Sequence, residues 1–172
     1  MHEETLSDVF QLAISAEEES LKRYLEFAIG TKDENGKNMF IRLAQDEFMH
    51  QRLLKRMLEE LKDKGTCSVV ETPPTVIEKL VPKIGDKSLR VKGKEGQSAL
   101  DALLTALNLE INARNFYQKQ AETAGPESVR AVFLRLAQME QAHSELIQAE
   151  IDYIQKTGFW FGFQEFTLEA NP

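Results

Sequence analysis

The chain has 172 residues, of which 28% are charged, and a formal net charge of −7. This length suits one domain with a substantial buried core. The acidic balance excludes a surface dominated by basic residues, so we expect no nucleic-acid partner. No apolar run approaches the length of a membrane span, and the acidic N-terminus lacks the features of a signal peptide. We therefore expect a cytoplasmic protein with no membrane partner.

Four long helices are predicted from the periodicity of apolar residues and from the residues that stop helices. We expect them at about residues 6–29, 37–64, 99–124 and 126–157. Thr5 and Ser98 each begin a pattern that is typical of a capping box, so they predict the starts of the first and third helices. Gly65 and Gly158 predict the ends of the second and fourth helices.

A connector rich in proline and glycine, residues 65–97, separates two predicted helical hairpins, 5–64 and 98–157. At up to ~3.3 Å per residue it can run the length of a helix. Two antiparallel hairpins joined by one long crossover form a ferritin-like four-helix bundle. The predicted fold is therefore all-α, a single ferritin-like domain over residues 1–172. Residues 158–172 form an aromatic tail, which we expect to pack over the bundle end or against a second copy of the chain.

A pattern of glutamate and histidine occurs twice, 93 residues apart. Glu17 is followed thirty residues later by Glu47, and His50 lies three residues beyond Glu47. The second copy has the same spacings and comprises Glu110, Glu140 and His143. Both copies share the sequence Arg-Leu-Ala-Gln-x-Glu-x-x-His, which indicates that a helical hairpin has been duplicated.

All four glutamates lie near the middle of their predicted helices, on the faces that carry the apolar residues. Four buried carboxylates would be very costly, because desolvation and mutual repulsion both oppose their ionisation. Two divalent cations would cancel the four charges, and the two imidazoles would complete the donor set. Oxygen and imidazole donors favour iron or manganese over a metal that prefers thiolate. We expect two iron ions, with manganese or zinc as alternatives.

The chain resembles the rubrerythrin-like branch of the ferritin-like superfamily over about residues 6–64 and 99–157. In that family each hairpin contributes one glutamate from its first helix and Glu-x-x-His from its second. The resemblance implies six metal ligands that are also the catalytic residues: Glu17, Glu47, His50, Glu110, Glu140 and His143. It further implies that Glu47 and Glu140 bridge the two metals, whereas the other four residues each bind one.

Two features depart from the rubrerythrin pattern. Rubrerythrins usually carry a rubredoxin-type iron module built from Cys-x-x-Cys pairs, whereas the only cysteine here is Cys67. They also carry a further glutamate one turn after the third-helix ligand, where this chain has Ala113. Bacterioferritins share the six ligands without that glutamate, but Phe48 occupies the position of their haem-binding methionine. We therefore expect no haem.

The expected function is the reduction of peroxide or dioxygen by a di-iron oxidoreductase of rubrerythrin type that lacks the rubredoxin module. The electron donor is not identified by the sequence, and a separate rubredoxin-like protein is one candidate. We also expect a homodimer. Two alternatives stay open: a bacterioferritin-like ferroxidase that stores iron, and a metal-free helical interaction protein.

Two tyrosines outside the repeated pattern are candidates for supporting roles. Tyr24 and Tyr117 each follow a ligand glutamate by seven residues, so we expect them to hydrogen-bond carboxylates from a facing helix. Asp46 directly precedes Glu47, but Met139 occupies the duplicate position. Asp46 therefore receives no role that the two halves could share.

Overall fold

Every regular element that the computed structural model describes is an α-helix, and it describes residues 5–68, 71–80 and 97–160. The helices are α1 Leu6–Gly30, α2 Glu34–Lys64, α3 Val76–Leu80, α4 Gln97–Thr123 and α5 Glu127–Thr157. Helices α1 and α2 form one hairpin, and α4 and α5 form the other. The prediction of an all-α, ferritin-like bundle is confirmed. Across the described ranges, no helix combines the length and apolar character needed to cross a membrane.

Short polar side chains begin the two helices of the first hairpin. The Thr5 hydroxyl accepts a hydrogen bond from the Asp8 amide at 3.2 Å, and the Asp8 carboxylate accepts one from the Thr5 amide at 3.0 Å. This reciprocal pair is the predicted capping box. At the start of α2, the Asp33 carboxylate accepts from the amides of Asn35 and Gly36 at 2.9 and 3.1 Å. Asp33 therefore starts α2 at residue 34, earlier than the predicted residue 37.

The other helix boundaries agree with the predictions in part. Gly65 and Gly158 end α2 and α5 with φ angles of 70° and 79°, a left-handed conformation that favours glycine. The predicted cap at Ser98 is wrong, because α4 begins at Gln97 and Ser98 lies inside the helix. The short helix Val76–Leu80 in the crossover was not predicted, since five residues are too few to show a helical period.

The interior consists of two apolar clusters separated along the bundle. The first apolar cluster joins the ends of α1 and α5 to the starts of α2 and α4, and it includes Phe40, Leu43, Leu103, Leu146 and Ile147. The second apolar cluster joins the opposite ends of the same helices, and it includes Phe10, Leu54, Met57, Phe133 and Leu136. Because each helix start meets the end of its hairpin partner, both hairpins are antiparallel. The middle of the bundle lies between the two clusters.

The crossover is held to the bundle by one arginine of α5. The Arg135 guanidinium donates to the Glu78 carboxylate, with an Nη2 to Oε2 distance of 2.6 Å. Its Nε also donates to the carbonyl and hydroxyl oxygens of Thr72 at 3.3 and 3.0 Å. Ile77 and Leu80 of α3 pack into the first apolar cluster. Polar and apolar contacts thus fix residues 71–80 against the second hairpin.

The start of the aromatic tail packs on the end of the bundle. The Trp160 ring lies against the backbone of Gly36, where an added β-carbon would be 2.5 Å from the ring. It also makes an edge contact with Phe40, with ring centroids 5.7 Å apart. Trp160 therefore covers the first apolar cluster, while the rest of the predicted tail, 161–172, lies outside the described residues.

Replacing Arg135 by alanine should loosen the crossover, because Glu78 and Thr72 lose their partner. We expect the free energy of unfolding to fall by about 1–2 kcal/mol, since the pair is partly exposed. Arg42→Ala is the matched control, because Arg42 occupies the duplicate position and donates to Gln45 on its own helix at 3.0 Å. Urea unfolding followed by circular dichroism measures both variants. Equal losses of stability would contradict the role of Arg135.

Repeating this comparison at several pH values tests the charge on Glu78. Burial opposes ionisation of Glu78, but the hydrogen bonds from Arg135 and from the Thr75 amide, together with the charge of Arg135, outweigh it and lower the pKa of that carboxyl. A carboxyl with a lowered pKa stabilises the fold above its unfolded pKa of about 4.3, and this contribution is lost as the pH falls through the folded pKa. The difference between the wild-type chain and Arg135→Ala should therefore be full at neutral pH and shrink below about pH 4.

Candidate metal centre

The six predicted ligands lie in one buried layer between the two apolar clusters. Helices α1 and α4 each contribute one glutamate, and α2 and α5 each contribute a glutamate and a histidine. The side chains are at most 2% exposed, and they are Glu17, Glu47, His50, Glu110, Glu140 and His143. A spacing of three residues places the glutamate and histidine of one helix on the same face. The structure thus brings all six residues together at mid-bundle.

The donor atoms form two groups that overlap. In each group, one donor atom per residue lies within 4.8 Å of the others. The first group contains Glu17, Glu47, His50 and Glu140, and the second contains Glu47, Glu110, Glu140 and His143. Glu47 and Glu140 belong to both groups. This sharing fits two metal ions joined by two bridging carboxylates.

Both histidines direct Nδ1 at the carboxylates. His50 Nδ1 lies 3.0 Å from Glu140 Oε1, and 3.6 and 3.7 Å from oxygens of Glu17 and Glu47. His143 Nδ1 lies between 3.2 and 3.4 Å from one oxygen of each glutamate in its own group. The two rings are stacked, with centroids 5.4 Å apart and planes inclined by 16°. Each group therefore combines carboxylate oxygens with one imidazole nitrogen.

Burial and charge separate the pKa values of the carboxyls. Desolvation and then the charges of the two shared glutamates raise the pKa of Glu17 and of Glu110 well above the ordinary value. Burial also opposes ionisation of Glu140, but the charge of His50 and close contacts with Glu110 and both histidines hold its pKa well below that value. Added positive charge between the four carboxyls would therefore favour the ionisation of Glu17 and Glu110. Divalent cations supply that charge.

Unsatisfied polar atoms support the same conclusion. Within the described ranges, six polar side-chain atoms of the layer have no hydrogen-bond partner: Glu47 Oε1, both carboxylate oxygens of Glu140, both ring nitrogens of His50, and His143 Nδ1. Buried polar atoms nearly always have partners, so six in one place fit a site that binds metal ions. Oxygen and imidazole donors suit iron or manganese. The residues of this layer therefore fit a pair of such ions.

Glu17 and Glu110 each belong to one donor group only and are called the outer glutamates. A tyrosine of the opposite hairpin donates a hydrogen bond to each of them. The Tyr24 hydroxyl of α1 donates to Glu110 Oε1 on α4, and the Tyr117 hydroxyl of α4 donates to Glu17 Oε1 on α1. Burial and the nearby carboxylate charges raise the pKa of both hydroxyls well above the ordinary value, so they keep their protons. Each glutamate keeps Oε2 directed towards a histidine.

Asp46 is the residue of this region to which the sequence analysis assigned no role. Its Oδ2 lies 3.2 Å from His143 Nε2, on the side of the ring that faces away from the carboxylates. The available signal was its position beside Glu47 on α2. Met139 occupies the duplicate position, so the repeated pattern gives no reason to expect this contact. Duplication predicts only the contacts that both halves make.

A bundle of two helical hairpins with a buried layer of four glutamates and two histidines is the arrangement found in ferritin-like di-metal carboxylate proteins. The chain matches the Rubrerythrin family over residues 8–97 and 101–157, and it belongs to that family. No curated protein and no solved structure matches it. With one cysteine, the 172 residues include no rubredoxin-type iron module. The family and the buried cluster together suggest a di-iron site.

Removing metal should destabilise the chain, because metal binds the folded state and not the dispersed ligands of the unfolded state. At metal concentrations near a hundred times Kd, we expect a stabilisation of about 3 kcal/mol, or roughly 5–10 °C in Tm. Glu140→Gln should bind fewer ions and lose most of this increase, because Glu140 belongs to both donor groups. Elemental analysis and thermal unfolding, with and without chelator, measure these effects.

The control for this experiment is Glu145→Gln, which changes an exposed glutamate of the same helix. It should retain the metal content and the Tm increase of the wild-type chain. A Tm that chelator leaves unchanged, or an equal metal content in Glu140→Gln and wild type, would contradict the predicted centre.

Proposed function

We propose that the protein is a non-haem di-iron oxidoreductase of rubrerythrin type that reduces hydrogen peroxide, with dioxygen as the alternative oxidant. The observation that carries this proposal is the pair of overlapping donor groups in a buried layer. Peroxide reduction breaks the O–O bond and consumes two electrons and two protons to form two water molecules. Two iron(II) ions bound in the layer would supply the two electrons and polarise the oxygen atoms.

The roles of the side chains in this proposal follow from their positions. Glu47 and Glu140 would bind both ions, because each belongs to both donor groups. The remaining ligands would bind one ion each: Glu17 and His50 on one side, Glu110 and His143 on the other. The hydroxyls of Tyr24 and Tyr117 hold protons at the outer glutamates and keep each Oε1 oriented. Proton-holding groups thus lie within the layer where the two protons are consumed.

The surroundings of the layer also suit this chemistry. The two apolar clusters cover it from both ends of the bundle, so bulk water is excluded from the ligands.

Electrons for further turnovers must come from an external one-electron carrier, and we propose a separate rubredoxin-like protein. We also propose a homodimer, since five apolar side chains of the first hairpin are between 45% and 84% exposed: Leu12, Leu25, Ile29, Phe48 and Met49.

A bacterioferritin-like ferroxidase is the second candidate, and Ala113 is the observation that favours it. Rubrerythrins carry a glutamate at this position, whereas Ala113 packs against the second apolar cluster. A ferroxidase of this kind oxidises iron(II) with dioxygen and needs a hollow assembly for storage. The metal-free interaction protein is disfavoured, because it leaves six buried polar atoms of the described layer without partners.

Reoxidation of the reduced centre separates these functions. The apo protein is loaded anaerobically with two equivalents of Fe(II) and mixed in a stopped-flow instrument with peroxide or with dioxygen. We expect peroxide to react at least about tenfold faster, because the proposed enzyme stabilises cleavage of the O–O bond. Faster reaction with dioxygen, mineral growth beyond two ions per chain and a cage-sized peak in size-exclusion chromatography would instead establish storage.

Loss of a tyrosine hydroxyl should slow the reaction more than it weakens metal binding. In Tyr117→Phe, Glu17 loses the donor that orients its carboxylate, and we expect the peroxide rate to fall roughly 10–100-fold. Both ions should still bind, since all six ligands are present. Tyr153→Phe is the matched control, because it changes the tyrosine outside the layer and should alter the rate less than about twofold. Equal rates in all three proteins would exclude the proposed role.

A further inference from the structure

The two halves of the metal centre differ on the outer side of the histidines. His143 Nε2 lies 3.2 Å from Asp46 Oδ2. His50 Nε2 is buried and has no hydrogen-bond partner among the described residues. The residue at the position that duplicates Asp46 is Met139, which is buried and whose thioether is at most a weak acceptor. Among the described residues, Nε2 of His143 therefore has a carboxylate partner, whereas Nε2 of His50 has none.

This difference bears directly on how each imidazole can bind a metal. A neutral imidazole carries one proton, and the nitrogen without it is the ligand. Because Asp46 accepts a hydrogen bond from His143 Nε2, the proton stays on Nε2 and the lone pair of Nδ1 is left for the metal. The same bond holds the ring orientation and increases the basicity of Nδ1. His50 Nε2 has no such contact among the described residues, so only metal binding at Nδ1 would fix the proton of His50 on Nε2.

The remainder of the centre is matched between the halves. Each half has one outer glutamate, and a tyrosine hydroxyl bonds that glutamate from the facing helix. The distances from Nδ1 follow the difference at Nε2: they span 3.2 to 3.4 Å for His143 but 3.0 to 3.7 Å for His50. The ring that Asp46 holds is thus the one placed more evenly among its three carboxylates.

We propose that the two metal positions are unequal: the position beside His143 binds its ion more tightly and fills first, and Asp46 is the positioning residue that creates the difference. This inference rests on the proposed di-metal function. A carboxylate or carbonyl behind a histidine ligand typically changes metal affinity by about 10–100-fold, so the two affinities should differ by that factor.

The test is an anaerobic titration of the apo protein with Co(II), followed by calorimetry and by the visible ligand-field bands of the ion. In the wild-type chain we expect two binding steps whose affinities differ by about 10–100-fold, with different spectra for the first and second equivalents. Asp46→Met places methionine at both of the duplicate positions, 46 and 139. It should weaken the tight step to the level of the other, so that the two steps merge.

Three further variants make the test specific to the hydrogen bond. Asp46→Asn keeps an oxygen that accepts from His143 Nε2, so it should retain most of the difference between the steps. Met139→Asp adds the corresponding carboxylate behind His50 and should tighten the weak step, which also tests the idea if Asp46→Met does not fold. Asp63→Ala changes an exposed aspartate of α2 and should leave both steps unchanged.

The outcomes distinguish this inference from the proposed function. Two equal steps in the wild-type chain, or an equal effect of Asp46→Met on both steps, would overturn the inference even if the iron form reduces peroxide. Two unequal steps that merge in Asp46→Met would support it even if peroxide is not reduced. Binding of fewer than two Co(II) ions per chain would overturn both, since neither is possible without two positions.

Discussion

The charge of four carboxyls in one buried layer is the constraint on which the centre of this bundle depends. Desolvation and mutual repulsion keep Glu17 and Glu110 from ionising readily, although the layer also contains two imidazoles. The polar contacts of the layer mostly run between hairpins, as between Tyr24 and Glu110 or between Tyr117 and Glu17. Cations that neutralise the layer would therefore also join the two hairpins, so metal binding and stability are coupled.

Duplication explains the symmetry of the centre, and single residues explain its departures from symmetry. Arg42 and Arg135 occupy duplicate positions, yet Arg42 bonds its own helix whereas Arg135 holds the crossover. The crossover packs against α5, so the two duplicate surfaces have different neighbours. Asp46 breaks the symmetry a second time, inside the bundle. Both departures lie in the segments that carry the shared Arg-Leu-Ala-Gln-x-Glu-x-x-His sequence.

The meeting of these six side chains could be predicted from the sequence, because the spacing of residues along a helix determines their positions on it. A rise of about 1.5 Å per residue gives the depth of a residue in its hairpin, and the apolar stripe gives its direction. The residue at which α4 begins could not be predicted in this way, because several short polar residues can compete to begin a helix. Nor could the contact of Asp46 with His143, since it depends on the distance and rotation between α2 and α5. Periodicity within one helix contains no information about its neighbour.

Ala113 affects the balance of charge that the proposed function requires. Four carboxylates and two divalent ions sum to zero, so a centre with two iron(II) ions has low cost in a buried layer. Oxidation of both ions adds two positive charges, and a fifth carboxylate near position 113 would offset one of them. Ala113 instead packs against the second apolar cluster and offsets none. In the proposed centre the side chains would therefore favour the divalent state, so its oxidant would need to release enough free energy, as peroxide does on conversion to water.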